Sequence, residues 1–336
     1  MVLASSPNDL DLIVRAAWLY HGDGLTQAQV AKRLFVSRQT VGRLLEAARA
    51  QGVVRIEIDA RCLAALDLAT RLRDTFGLSD AIVVPRDDDT PKPTGRVNER
   101  VAAALAAYVR RYLHPGAVVG VGWGDTVAKA LSMLSEESLE GVTLASAAGS
   151  IQAISQSLAG EPKVAHHLRV VPAPLLVSSP EAATMLRAEQ TVREVLELAS
   201  TASVTLTGIG AAGPGASAVR SQLLTEAEVA SYAGMGAVGD MLGEWFDAHG
   251  RIVSEATSNR RIGLSLDQLR AMPNVVAVAG GREKAEAVLG AIRGGYLKVL
   301  VTDETTAEEL LAKGSVTAGA VRAASRPRPA GEATRR

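Results

Sequence analysis

The residues best suited to read a nucleic acid lie close to the amino end, in Ser37-Arg38-Gln39-Thr40 and Arg43. A capping serine followed by Arg and Gln places long polar side chains on the first turn of a helix. There Arg can grip guanine and Gln adenine through paired hydrogen bonds. Upstream, Thr26 precedes a helix-forming run with Gln29 three residues on, the spacing of a capping box. Apolar residues at 10, 13, 14, 17 and 18 predict a first helix over 10–19, and Gly22-Asp23-Gly24 breaks it. A second helix is predicted over 27–34 with Val30, Ala31 and Leu34 inward. A third follows over 38–51 with Val41, Leu44, Leu45 and Ala48 inward, and Gly52 supplies a left-handed stop. Two short helices joined by a tight turn form a helix-turn-helix pattern. Between positions 25 and 55 six basic residues (Lys32, Arg33, Arg38, Arg43, Arg49, Arg55) face a single acid, Glu46. Such a patch is suited to phosphate contact, with Thr26, Gln27 and Lys32 near the turn. The alternating run Val53 to Ile58 is expected to form a strand-like wing carrying Arg55. The bland alternative is a small helical unit for protein contacts.

A second group of residues suggests recognition of a small, oxygen-rich molecule. Gly120-Val121-Gly122-Trp123-Gly124-Asp125-Thr126 follows an apolar strand pattern and precedes a helix. Glycines let backbone amides approach an anion, and a helix N-terminus favours negative charge. Gly280-Gly281-Arg282-Glu283-Lys284 repeats the arrangement after Val275–Ala279 and adds two cations, which strengthen bonds to phosphate. Gly149-Ser150 and Gly208-Ile209-Gly210 end two further strand patterns. Taken alone, such turns also serve merely to reverse the chain. Trp123 suits stacking on a sugar and equally suits plugging a core. His166 and His167 are adjacent, so on a helix they diverge by about 100° and do not share an ion. No metal site and no cofactor is expected.

These groups need scaffolds, and the rest of the chain supplies them. It has 336 residues, 47% hydrophobic, enough for two domains and a large core. Lys+Arg and Asp+Glu are both 36, so global charge does not single out a polyanionic partner. The single cysteine, Cys62, excludes an intrachain disulfide framework and fits a reducing compartment. The first ten residues do not resemble a signal peptide, and no apolar run spans a bilayer. A cytoplasmic protein without membrane contact is the expectation. Strand-like runs at 81–85, 117–121, 142–146, 168–172, 202–207, 275–279 and 297–302 alternate with helical patterns. That alternation predicts an α/β domain with a largely parallel sheet. Leu63, Leu66, Ala69, Leu72 and Phe76 recur at helical spacing. The expected division is therefore a winged helix-turn-helix over 1–60, a linker helix over 61–79, an effector domain over 80–321 and an Arg-rich disordered tail over 322–336. Residues 86–94 read as a polar loop.

Leu25 to Ala31, Val36 to Leu45 and Ala48 to Ile56 resemble the reading head of the SorC family of sugar-responsive regulators. Ala237-Val238-Gly239-Asp240, Ile262 to Ser265, Ala279 to Ala285 and Val301 to Glu304 resemble that family's effector domain. The resemblance covers about residues 10 to 313. It implies double-stranded operator DNA as a partner, a homodimer or homotetramer, and a Rossmann-like effector domain similar to sugar-phosphate isomerases. It also implies a sugar, polyol or sugar-phosphate effector held by Gly122 to Thr126, by Lys284 and by Asp240 on the hydroxyls. On its own residues, Asp240 fits a helix cap equally well. Asp125 stands where an acid would repel phosphate, which leaves room for an unphosphorylated polyol. The expected role is a repressor of a carbohydrate or polyol operon and not an enzyme. The alternative is an isomerase- or deaminase-like enzyme with a DNA-binding head, for which Asp240, Asp303 and Glu304 are the available acids.

Overall fold

A short helix α1 (Pro7–Ala17), prolonged by a wide turn over 18–22, opens the chain, and α2 (Gln27–Leu34) and α3 (Arg38–Ala50) complete a small helical unit. The computed structural model describes residues 7–55, 60–86, 95–151, 161–213, 215–253 and 255–324. The chain divides into two units, one ending at Ala60 and the other beginning at Arg61.

In the first unit the capping chemistry sets the helix ends. Thr26 Oγ1 accepts the Gln29 amide while Gln29 Oε1 accepts the Thr26 amide at 2.8 Å, so both orphan donors are satisfied. Ser37 Oγ accepts the Thr40 amide at 3.0 Å and starts α3. Between the helices, Phe35 adopts a left-handed conformation (φ 55°) and stands 95% exposed. Val30, Ala31, Val41 and Leu45 pack on Ala16, and Ile13 and Ala17 pack on Ala48. The face of α1 therefore differs from the expected stripe. Its alanines allow close approach to α3, and this turns Leu10, Val14 and Trp18 outward. The expected wing is not formed over its described part: 53–55 make a bend in which the Val54 amide donates back to the Ala48 carbonyl. Ile56 to Ile58 lie outside the described residues, as do 87–94 of the polar loop and 325–336 of the tail.

The second unit contains α4 (Ala60–Phe76), β1 (Asp80–Val84), α5 (Gly95–Val109), β2 (Val118–Val121), α6 (Asp125–Ser132), α7 (Glu136–Leu139), β3 (Thr143–Ser150), α8 (Pro162–Ala165) and β4 (Leu168–Pro174). It continues with α9 (Pro180–Ala188), α10 (Gln190–Ser200), β5 (Val204–Gly208), β6 (Gly210–Ala211), α11 (Ser217–Arg220), α12 (Glu226–Gly234), β7 (Ala237–Met241) and β8 (Glu244–Asp247). Last come α13 (Glu255–Asn259), α14 (Leu266–Ala271), β9 (Val275–Val278), a 3₁₀ turn over 282–284, α15 (Ala285–Arg293), β10 (Val299–Asp303) and α16 (Glu304–Ala324). All seven expected strands form one parallel sheet in the order β1-β10-β9-β5-β2-β3-β4. Val275 to Val278 are buried on both faces, as a parallel sheet covered by helices requires. Chain order runs outward from β2 to β3 and β4, then returns to β5 on the opposite side. The switch therefore falls between β2 and β5, where the connections diverge and leave a crevice at the carboxyl ends.

Two features depart from the expectation. A small antiparallel sheet, β6-β7-β8, stands apart from the main one and converts Asp240 from a helix-cap candidate into a strand residue. It also makes Glu244-Trp245-Phe246-Asp247 a strand, with Trp245 stacked on Tyr232. In α4, Ala65, Leu68, Ala69 and Leu72 enter the main core, so the helix is a layer of the second unit, whereas Leu63 and Leu66 face outward. No helix among the described residues is long and apolar enough to cross a membrane.

Removal of the α3 cap by Ser37→Ala should cost about 1 kcal/mol locally. Amide exchange of the α2–α3 segment should accelerate by about five-fold in the full chain. Exchange in β2, β5 and β9 should be unchanged, because those strands belong to the second unit, which has its own core.

Candidate effector cleft and DNA-reading helix

At the β2/β5 switch point a narrow cleft opens, with a cavity volume of about 70 Å³. Its walls come from the turn after β2, the turn after β5, the hairpin β7–β8, α11 and the 3₁₀ turn after β9. Among the expected residues, Trp123, Gly124, Asp125, Thr126, Gly208, Asp240 and Lys284 line it.

Each of these is placed by a local cause. Trp123 is buried and its indole N–H donates to the Ala148 carbonyl at 3.0 Å, so the ring both plugs the core and edges the cleft. Gly124 precedes α6, and no side chain caps the first amides of that helix. Asp125 and Thr126 form its first turn at the cleft, where an anion is favoured. Asp240 Oδ2 accepts the Gly243 amide at 3.2 Å, and its carboxylate occupies space that a side chain on Gly210 would fill. Burial pushes the Asp240 carboxyl up to about 6, with the Gly243 amide and the Lys284 charge pulling it down. Burial also holds Lys284 below the ordinary lysine range, against the favourable charges of Glu283, Asp240 and Asp125.

Five expected residues lie elsewhere. Gly122 is buried behind the cleft, where a Cβ would meet Leu242 at 2.7 Å and Thr207 at 2.8 Å; its smallness makes room for Leu242. Gly149 lies under the backbone of Pro174, and the Ser150 hydroxyl donates to Val171 at 3.4 Å, so both serve the β3–β4 edge. The Gly281 amide donates to Asp303 Oδ2 at 2.9 Å and Thr306 Oγ1 at 3.0 Å. Arg282 turns outward to Glu309 at 3.4 Å, because the 3₁₀ turn sends it to the opposite side from Lys284. Asp303 and Glu304 are likewise absorbed by the fold: Asp303 caps α16 through Thr306, and Glu304 accepts the Arg86 amide.

Several cleft residues carried no signal in the sequence. Asn98 from α5 lines the cleft, and its Oδ1 is buried with no hydrogen-bond partner among the described residues. Arg220 and Ser217 from the four-residue α11 line it as well, beside Leu242 and Gly243 of the hairpin turn. Asn98 sits on an alanine-rich helix and Arg220 on a four-residue helix, so neither belongs to a glycine-rich turn. Among the described residues no group of three or more His, Cys, Asp or Glu could hold a metal. The His167 ring nitrogen meets the Val142 carbonyl at 3.1 Å while His166 is exposed.

In the first unit, Arg38, Gln39 and Arg43 are exposed along the first half of α3. Lys32, Arg33, Arg49 and Arg55 are exposed too. Thr26 and Ser37 spend their hydroxyls on caps, and the Thr40 hydroxyl pairs with Ser37 at 2.8 Å. Gln27 is half-buried at the start of α2.

A family model described as "Putative sugar-binding domain" matches residues 60–312, and one described as "MarR family" matches 16–61. The transcriptional regulator LsrR of Enterobacter sp. (strain 638) is 37% identical over 306 residues, covering 90% of this chain and 93% of that protein. LsrR of Escherichia coli (strain K12) is 36% identical over 306 residues, covering 89% and 94%. This chain belongs to the SorC family of sugar-binding transcriptional regulators. The full-length sorbitol operon regulator SorC from Klebsiella pneumoniae superposes with a TM-score of 0.62 at 26% identity, covering 90% of this chain and 99% of that one. A DeoR family transcriptional regulator from Listeria monocytogenes gives 0.67 at 26% identity, covering 74% and 99%. In this SorC-family chain the first unit is the DNA-binding head and the second the sugar-binding domain.

The raised Asp240 carboxyl has a measurable consequence. The folded chain holds this proton more tightly than the unfolded one, so between about pH 4 and pH 6 stability falls as pH rises. Asp240→Asn should flatten that slope and raise the thermal midpoint above pH 6. Equal slopes for wild type and variant over pH 4–8 would contradict the assignment.

Proposed function

We propose that this regulator represses a carbohydrate or polyol operon and is released from, or remodelled on, its operator by a phosphorylated sugar or polyol bound in the β2/β5 cleft. The observation that carries the reading is the meeting of Lys284 with the uncapped amides of α6 in one cleft, with Asp240 facing them. Amides of Thr126 and Val127 receive the phosphate together with Lys284, and Arg220 closes the anion site. Asp125 enters through its backbone, at the first turn, with its exposed carboxylate at the rim. Asp240, Asn98 and Ser217 take the hydroxyls. An unsatisfied buried acceptor costs about 1–3 kcal/mol, and a ligand hydroxyl donating to Asn98 Oδ1 recovers it. The match to a sugar-binding domain model and the likeness to the sorbitol operon regulator SorC support a sugar or polyol effector.

Operator DNA is read by Arg38, Gln39 and Arg43 from the major groove, while Gln27, Lys32 and Arg55 meet phosphates. A two-fold operator requires at least a homodimer. The effector acts by shifting a population between states of unequal operator affinity. Of the three acids available for a catalytic role, Asp240 alone lines the cleft, since Asp303 and Glu304 are bonded within the fold.

A thermal-shift screen against sugars, polyols and their phosphates tests the cleft. At 100 times its dissociation constant a ligand adds about 2.7 kcal/mol. Lys284→Met should abolish the shift given by phosphorylated compounds, and stabilisation by free sugars alone would refute the phosphate site. On DNA, Arg38→Ala should cost about 1–3 kcal/mol and relax preference at one base pair. Lys32→Ala should weaken all sequences alike and flatten the salt dependence. Identical behaviour of the two variants would overturn the assignment.

A further inference from the structure

Leu242 and Gly243 form a two-residue hairpin turn, two residues beyond Asp240 on β7, that the chain holds in an unfavourable conformation. Met241 pairs with Glu244, and the residues between them, Leu242 and Gly243, are both left-handed, with φ of 51° and 74°. That is the backbone of a type I′ turn, which favours Asn or Gly at its first position. A leucine there is strained by about 1–2 kcal/mol and persists only where its surroundings fix it. Leu242 is 5% exposed and lines the cleft, and Gly122 leaves the space it enters.

A buried ion pair lies against the turn. Arg261 and Glu244 have side chains only 4% and 5% exposed and meet at 3.5 Å. The Arg261 Nη1 donates to the Leu242 carbonyl at 3.2 Å, directly on the strained residue. Glu244 Oε2 also accepts the Leu266 amide at 2.8 Å, which ties the hairpin to the start of α14. Gly263 leaves room for the guanidinium: a Cβ there would meet Arg261 Nη1 at 2.8 Å. The Arg261 backbone is clamped in turn, since the Arg187 side chain donates to its carbonyl at 2.6 Å and 3.0 Å. A buried pair of this kind is poor evidence of stabilisation, because desolvation offsets its attraction. Its hydrogen bond to Leu242 instead points to a role in geometry.

We propose that Arg261, paired with Glu244, is the positioning residue of the effector cleft: it locks the left-handed Leu242–Gly243 turn and thereby sets both the Asp240 carboxylate and the Leu242 wall that measures the effector's carbon chain. The Gly243 amide bonded to Asp240 is the link, since moving the turn moves the donor that orients the carboxylate. This rests on the cleft being the effector site, and the test separates the two ideas.

Removing Arg261 alone would strand a buried carboxylate, so the primary variant is Arg261→Met with Glu244→Gln, which keeps an acceptor for the Leu266 amide. Hydrogen exchange of the full-length protein reads positioning without any ligand. The Gly243 amide should exchange at least ten-fold faster in the double variant, with β2, β5 and β9 unchanged. Leu242→Asn, which tolerates the left-handed backbone, should keep that amide slow. Titration with inorganic phosphate and with ribose 5-phosphate and glucose 6-phosphate then reads the cleft. The double variant should bind inorganic phosphate as wild type does and lose about ten-fold or more for the sugar phosphates. Leu242→Asn should change the preference between the five- and six-carbon compounds. Unchanged Gly243 exchange overturns the positioning role. Equal losses for inorganic phosphate and sugar phosphates also overturn it, by marking a general structural defect. If wild type binds none of the three compounds, the phosphate reading of the cleft falls, and the exchange result still decides the role of Arg261.

Discussion

The β2–β5 pairing is the constraint on which the second unit depends. Neighbouring parallel strands whose connections leave in opposite directions cannot both be roofed by a helix at their carboxyl ends. Here the two turns lie side by side, and a Cβ added at Gly124 would come within 3.6 Å of Gly208 Cα. Close approach of β2 to β5 is possible because β2 presents Gly120 and Gly122 where β5 presents Thr205 and Thr207. The crevice thus follows from topology, and the glycines determine its depth.

Charge within the crevice follows from how little water reaches it. Asp240 and Lys284 stabilise one another only partly, since burial disfavours the charged form of each. An anion at the first turn of α6 would improve the surroundings of Lys284, and hydroxyls would do the same for Asp240 and Asn98. Binding energy of this kind alters operator affinity only to the extent that it differs between the two operator-binding states. The hairpin held by Arg261 supplies a rigid wall against which such a difference can be expressed.

Much of this was legible in the residues. The seven parallel strands could be read because each is a short apolar run bounded by turn residues. The caps at Thr26 and Ser37 could be read because capping is a local interaction with fixed spacing. The antiparallel sheet was not, because β6 has two residues and β7 contains Gly239, where a Cβ would collide with Ala287. Periodicity placed Ile13, Ala17, Ala69 and Leu72 inward, as found, but turned neighbouring large residues on the same two helices the wrong way. On α1 and α4 the buried positions include alanines, which pack closely without adding hydrophobic bulk, so the larger Leu10, Val14, Leu63 and Leu66 attracted the assignment. The turn after β9 showed two cations, yet only backbone geometry separates Lys284, inside, from Arg282, outside. Asn98 and Arg220 reach the cleft from sequence-distant helices, and no local pattern could connect them to it.

The central claim is that occupancy of the β2/β5 cleft by a phosphorylated sugar or polyol governs operator affinity through Lys284. Anisotropy of a labelled duplex from the regulator's own promoter, titrated with protein at several concentrations of the compound that stabilises it most, tests this directly. The account predicts that wild type changes its DNA affinity with the compound, while Lys284→Met binds the same duplex equally well and does not respond. A Lys284→Met protein that responds as wild type does would contradict it.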